Sequence, residues 1–463
     1  MNACCSLKYA AFILLILSAR MYAQDISPQP VPPQPAPGAA TITESNPPSD
    51  KPDLYTIEHP GGRPIEDLNF RGGYISFPPF SDSFFGEANP VRQALAKKGI
   101  AEINYGDSTF TYNTLYPPQP AADQAYLGER PTWKTSHYFM LNWDLRQFHV
   151  RGGQLSISGA LQDISWNPGG PSTHQFAAIS YYQELLHDKL EIKGGYIDNN
   201  YEFVGTGTGT QASSGSLGVF ASLPYEVGMS YLPLTAPGMN FKVHLPDHLY
   251  TKVGFQRSLD AKGGLEESYR NVIGLRFDPH GDGLLQIYEF GLSRDADQNH
   301  NETWARTGYL HNSTQFADAR TGKTDTNYMQ YFLIDRQVLK LDEAKPYRGL
   351  YLGVSQMYAP SNVNPYNQYY EARAYMLGPF QRHPNDTLSF VSSHTAYSNY
   401  TKAAYRAEGK TVSNGSTSVT ASYNARFYRG VYFGPGLSYT NGPAITPRLR
   451  NSLSLLVQGQ VFF

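Results

Sequence analysis

The sequence predicts an all-β fold: a transmembrane antiparallel β-barrel of about 16 strands, preceded by a short N-terminal helix and a disordered proline-rich segment. Three observations predict it. The 463 residues include 35 Tyr, 24 Phe and 42 Gly, yet mean hydropathy is −0.44 and no segment beyond the first residues reads as an apolar membrane helix. From Ile100 onward, apolar and polar side chains alternate in runs of about ten residues separated by turn residues. The last of these runs closes on Phe463. Composition alone also admits a secreted β-solenoid or adhesin; the alternation decides for the barrel.

The chain divides into four stretches. Residues 1–23 read as a signal peptide: Lys8 supplies a positive start, Tyr9–Leu17 an apolar run, and Ala23 a small residue before the cut. That run is too short for a membrane helix, which needs roughly 20 apolar residues. Cys4 and Cys5 are the two cysteines and both precede the apolar run, so the exported protein has no disulfide framework and no lipoprotein anchor cysteine. Residues 24–53 carry proline at 28, 30, 32, 33, 35, 37, 47, 48 and 52 and few apolar side chains, the composition of a disordered, partly polyproline II spacer. Residues 54–99 form an N-terminal periplasmic segment containing a short helix over Glu87–Lys98. Asn89 is its N-cap, Pro90 its first helical position and Gly99 its stop. Residues 100–463 are the barrel.

Within the barrel the closing strand is the clearest. Leu453, Leu455, Val457, Gly459, Val461 and Phe463 fall on one face and Ser454, Gln458 and Gln460 on the other. A strand alternates its side chains with period two, so one face meets lipid and the other water. An aromatic residue ending such a strand is the pattern read by the outer-membrane insertion machinery. Val419, Ala421, Tyr423, Ala425 and Phe427 alternate in the same way, and Arg429-Gly430 turns the chain back into Val431, Phe433, Leu437 and Tyr439. Leu249–Gln256, Tyr269–Phe277, Leu284–Ser293 and Leu350–Met357 read as further strands. Asp295–Glu302 and Ala359–Tyr366 read as extracellular loops. At about 20–25 residues per strand with its connection, the region holds roughly 16 strands, enough to leave an aqueous lumen.

Several stretches resemble the carbohydrate-selective porin family of the outer-membrane porin B type. They are Leu95-Ala96-Lys97-Lys98-Gly99-Ile100 before the first strand, Tyr181–Glu184 followed by Leu190–Tyr196, the segment Asn199–Phe203, Gly228–Leu234 and the Tyr250–Gln256 strand. With the closing strand, the resemblance spans roughly Phe85–Phe463. The Gly-Asp-Trp-Gly-Gly-type opening of the family is here Ser83-Phe84-Phe85-Gly86. The resemblance implies a 16-stranded channel that admits glucose and related small carbohydrates by passive diffusion, with a homotrimer as one assembly.

A sugar channel needs a constriction of hydrogen-bonding and charged groups, each contact weak enough to release the solute. Charges on the lipid face cost about 2–4 kcal/mol near the midplane, so strand-centre charges should point inward. On phase, Glu191, Lys193, Lys252, Arg276, Glu289, Glu371, Arg373 and Arg426 are the candidate lumen residues. Most tyrosines suit the interfacial girdles.

Other functions have less to stand on. The formal net charge of −2 argues against nucleic acid. The sequence has no Gly-x-Ser-x-Gly, His-Glu-x-x-His or P-loop pattern; Gly205–Gly209 is glycine-rich but lacks the Lys-Ser/Thr that follows in a phosphate loop. The Asp278–Gly283 turn holds two carboxylates at a spacing unlike an EF-hand, and the 12 histidines show no ligand spacing, so no catalytic residue, metal or cofactor is expected. The rivals are a general diffusion porin, a barrel enzyme such as a lipase, and a soluble secreted β-protein that binds surfaces. Partners implied by the reading are small carbohydrates, outer-membrane lipid and lipopolysaccharide, and the insertion machinery through Phe463.

Overall fold

The structure is a computed structural model that describes residues 65–72, 79–118, 120–204, 222–278, 281–446 and 450–463. The signal-peptide and proline-rich expectations, and Gly205–Gly209, lie outside these residues. Sixteen strands run in chain order: β1 (Ile100–Asn113), β2 (Thr132–Asp144), β3 (Gly153–Ile164), β4 (Thr173–Leu185), β5 (Leu190–Ile197), β6 (Ala236–His244), β7 (Leu249–Arg257), β8 (Leu284–Arg294), β9 (Thr303–Ala317), β10 (Thr324–Lys340), β11 (Gly349–Tyr358), β12 (Tyr366–Leu377), β13 (Thr387–Tyr397), β14 (Gly415–Tyr428), β15 (Val431–Asn441) and β16 (Asn451–Phe462). Each pairs antiparallel with its chain neighbours. β1 also pairs with β16, Tyr105 opposite Phe462 and Asn113 opposite Ser454, so the barrel closes without an edge. Closure is what lets strands cross lipid, where every backbone polar group must be satisfied internally.

The period-two pattern sets which side chains face out. Phe139 and Leu141 on β2, Tyr288 and Phe290 on β8, Leu352 and Val354 on β11, and Leu388 and Phe390 on β13 are exposed on the outer wall. On β16, Leu455 is exposed outward while Ser452, Ser454 and Gln458 are buried on the inner side. The stripes expected on β7, β8, β11, β14 and β16 fall on these strands.

Antiparallel order sends successive connections to alternate ends. One end, the terminal end, holds the start of β1 and the finish of β16; the other is the loop end. Ala359–Tyr366 joins β11 to β12 at the loop end, but Asp295–Glu302 joins β8 to β9 at the terminal end. The two polar stretches therefore cannot both be extracellular, and the expectation for Asp295–Glu302 is corrected.

Tyr269–Phe277 is not a strand. Tyr269 and Arg270 finish a helix (Gly264–Arg270), and the following residues turn along the rim. β7 has already paired with β8, so the alternation there has no ladder to join. Instead, this segment fills a gap. β5 stops at Ile197 while β4 continues toward the loop end, and the Phe176 amide donates to the carbonyl of Ile273 at 3.1 Å. The Tyr196 hydroxyl donates to the carbonyl of Leu275 at 2.6 Å.

Before β1, residues 65–72 and 79–99 pack at the terminal end and are called the strap. Ile65 and Leu68 pack with Phe80, Ala96, Ala101 and Ile103. The expected helix is observed as α1 (Pro90–Ala96), with the Asn89 side chain accepting from the amides of Val91 and Arg92 at 3.0 and 3.2 Å. That cap answers two of the orphan amides of the first turn. Gly99 has φ +72°, the left-handed stop expected of it. Asp82 reaches β14 and β15, bonding the guanidinium of Arg426 and accepting from the Tyr432 hydroxyl at 2.7 Å. The Phe84 amide donates to the carbonyl of Phe462 at 2.7 Å, and the Phe463 ring packs against Phe84 and Phe85.

Candidate functional site

The connection between β5 and β6, residues 198–235, is the third at the loop end and is called L3. Described residues on both arms of it pack inside the barrel. Of its described residues, Phe203, Val204, Leu223, Val227 and Met229 are buried against Leu285 and Ile287 of β8, Leu310 of β9, Met329 and Leu333 of β10 and Met357 of β11. These strand residues face inward although they are apolar. A bare lumen would disfavour them; under L3 they form a small core whose burial, at about 25 cal/mol per Å², holds the loop against the wall.

Charge fixes the other side of L3. Glu202 receives Lys193 of β5 at 2.7 Å and Lys252 of β7 at 3.1 Å, and the Asn240 amide of β6 donates to it at 2.8 Å. Lys252 Nζ also donates to the Glu202 carbonyl at 2.8 Å and lies 4.4 Å from the centre of the Phe203 ring. Burial opposes ionisation of Glu202, but the two lysines hold its carboxyl below the usual carboxylate range. On β9, Arg306 stacks over Trp304 at 3.3 Å and donates through Nε to the carbonyl of Phe203 at 3.1 Å. One loop turn is thus gripped by four strands, β5, β6, β7 and β9, through its charge and its carbonyls.

Glu289 of β8 sits beside this grip. The Tyr250 hydroxyl donates to it at 2.9 Å and the Tyr331 hydroxyl at 2.5 Å. The Tyr331 ring lies flat along the wall because Gly308 has no Cβ; one placed there would stand 2.2 Å from the ring. Glu191 of β5 is paired with Lys242 at 3.3 Å and bonded to His244.

A second cluster lies on β10–β12. Arg373 donates to Asp335 through Nε at 2.8 Å and Nη2 at 2.6 Å, and through Nη1 to Glu371 at 2.8 Å and Ser355 at 2.7 Å. The Tyr369 hydroxyl bonds Glu371, and that of Tyr375 donates to Asp335 at 3.2 Å. This arrangement is a fully answered ionic network, the condition under which buried charges are tolerated.

Seven of the eight sequence-derived residues therefore face the interior. Lys193, Lys252 and Glu289 gather around L3; Glu191 pairs with Lys242 and His244 nearer the terminal end; Glu371 and Arg373 form the second cluster; Arg426 anchors the strap. Arg276 is displaced: it lies on the exposed rim segment between β7 and β8 and donates to the carbonyl of Arg270 at 3.0 Å. Its expected inward position assumed a strand that does not form. Sequence reasoning missed Glu202, Arg306, Asp335, Tyr250 and Tyr331. Phase alone would have placed Arg306 and Asp335 inside, whereas Glu202 sits on a loop and carries no periodic signal. In the Asp278–Gly283 turn, Asp282 is taken by Arg257 at 2.7 Å and Arg270 at 3.3 Å. Among the described residues no group of His, Cys, Asp and Glu is placed to hold a metal, and no helix is long and apolar enough to cross a membrane.

Comparison with known proteins adds to this geometry. No curated protein sequence matches the chain. Among solved structures, the high-pH form of Pseudomonas putida OprB is similar with a TM-score of 0.69 at 14% identity, over 84% of this chain and 100% of that one. The low-pH form of the same protein gives a TM-score of 0.52 at 13% identity with the same coverage. At such identities the likeness speaks for the fold. Residues 142–463 match the family described as carbohydrate-selective porin, OprB family. With a closed 16-strand barrel and a loop folded into its lumen, the chain belongs to the carbohydrate-selective porin family, a family of non-enzymatic outer-membrane channels that pass sugars by diffusion.

Proposed function

We propose that glucose and related small carbohydrates pass this pore along the wall of β5–β12 beside L3, where Glu191, Lys193, Lys252, Glu289, Glu371 and Arg373 set the charge of the lining, with Arg426 at the terminal end. The observation that carries this reading is the Lys193–Glu202–Lys252 grip, which holds L3 inside the lumen next to paired charges. Paired cations and anions offer hydroxyl-matching donors and acceptors without a strong net field. Each contact is exchangeable with water, which permits exit as well as entry.

Export by the residue 1–23 signal, insertion through the β16 strand ending in Phe463, contact with lipopolysaccharide and assembly as a homotrimer complete the proposal. Single-channel conductance of the purified protein in planar bilayers tests it. Current falling saturably with glucose, more steeply than with disaccharides or organic acids, is the expected result. Stable channels indifferent to sugar would replace the reading with a general diffusion porin.

A further inference from the structure

The strap also lines part of the lumen. Residues 65–72 enter the terminal end of the lumen and are fastened there by Gln154 of β3, whose side chain accepts from the amide of Arg71 at 3.0 Å and donates to the carbonyl of Asn69 at 2.9 Å. The Arg71 guanidinium lies 3.6 Å from Asp144 of β2 and 3.9 Å from Glu184 of β4. Between this fastening and the inner wall is a cavity of about 280 Å³ lined by Arg71, Tyr182, Glu184, Glu191, Lys242 and Lys252. At ~30 Å³ per water it has room for about nine waters, enough for one monosaccharide ring.

We infer that this cavity, between the N-terminal strap and β4–β7, is a second monosaccharide site, at the terminal end of the pore, with Arg71 as its strap-borne specificity residue. The inference rests on the sugar-channel reading above and adds to it a place and a residue.

The chemistry selects a neutral polyol. Each cation faces a carboxylate: Arg71 faces Glu184 and Asp144, Lys242 faces Glu191 at 3.3 Å, and Lys252 faces Glu202 at 3.1 Å. An ionic solute would have to displace one member of a pair and leave the other uncompensated in a partly dry site. A hydroxyl has no such requirement, since it donates to the carboxylate and accepts from the cation at once. The Arg71–Glu184 separation of 3.9 Å exceeds hydrogen-bonding distance and leaves space for a bridging hydroxyl. The side chains of Arg71, Glu184, Glu191 and Lys242 are 17–20% exposed, so their polar ends reach the cavity. The Tyr182 hydroxyl donates to Glu184 at 3.2 Å and orients that carboxylate.

Single-channel current noise with glucose added to one side at a time tests the inference, using the full-length protein and its Arg71→Gln and Lys242→Gln variants. Heat-modifiable gel mobility establishes that each variant is a folded barrel. Sugar entering from the terminal end loads this site first. The expected result is at least a threefold loss of glucose affinity from the terminal side in both variants, with a smaller loss from the loop side. Wild-type affinity from both sides in both variants would overturn the inference. So would an equal loss from the two sides, which would place the effect at L3. Absence of any glucose response in the wild type would instead overturn the sugar-channel reading itself.

Discussion

Arg373 on β12 reaches across β11 to clasp Asp335 on β10 with two nitrogens, a span of two strand spacings bridged by one guanidinium. The crossing point is Gly353. A Cβ there would stand 2.4 Å from Asp335 Oδ1 and 2.6 Å from Arg373 Nε. Gly353→Ala should therefore destabilise the barrel by about 1–3 kcal/mol, the range for overpacking. The urea midpoint of the folded band on a gel measures it, and an unchanged midpoint would show that the clasp tolerates a side chain beneath it.

Removing one partner should cost more than crowding it. The Arg373 side chain is fully buried, with Asp335 and Glu371 nearly so. Arg373→Met leaves two buried carboxylates facing each other, a loss of about 3–5 kcal/mol. The same urea series should rank it below Gly353→Ala; the reverse order would mean the network contributes little.

Charge at L3 should set ion preference. Glu202→Gln leaves Lys193 and Lys252 without their shared counter-charge, so the lumen beside L3 becomes more positive. Reversal potentials in a salt gradient are expected to shift toward anions. No shift would indicate that ions bypass this face of the loop.

The hold of Arg306 on L3 is open to a simpler test. Arg306→Ala removes the bonds to the carbonyls of Phe203 and Val204 and the stack on Trp304. Conductance should rise and become noisier as the loop leaves the wall. A channel with wild-type conductance and noise would assign the anchoring to the apolar core and to Glu202.

L3 should also loosen with rising pH. Asp198 accepts from the amides of Tyr201 and Leu232 at 3.1 and 2.9 Å, and burial pushes its carboxyl from 3.8 up to about 8. Burial pushes that of Glu226 from 4.5 up to about 7. A raised carboxyl favours the packed loop in its protonated form, so this contribution is complete below about pH 4 and is lost as pH rises through 7 to 8. Current noise should increase over that window, and Glu226→Gln should flatten the part below about 7. Noise that falls with pH would contradict the assignment.

The outer wall was legible in the sequence because lipid on one side and polar groups on the other impose a strict period of two. Leu249–Gln256, Leu284–Ser293 and Leu350–Met357 fall on β7, β8 and β11 for that reason. The inner wall was half legible. Charged residues point in as expected, but Leu285, Ile287, Leu310 and Met329 point in as well, because a loop distant in sequence covers them. Tyr269–Phe277 misled for the complementary reason: alternation makes a strand only where a neighbour offers a ladder. Glu202 was illegible because nothing local marks a loop carboxylate that will meet two lysines from separate strands.

The strap has one further consequence, for the order in which the molecule is made. Its residues leave the ribosome before any strand, yet Asp82 closes on Arg426 and Tyr432, 344 and 350 positions later, and the amide of Phe84 waits for the carbonyl of Phe462. None of these partners exists in place until β14, β15 and β16 have joined the sheet. The first part of the barrel unit to be synthesised is therefore among the last to settle, and its docking marks that the circle of strands is complete.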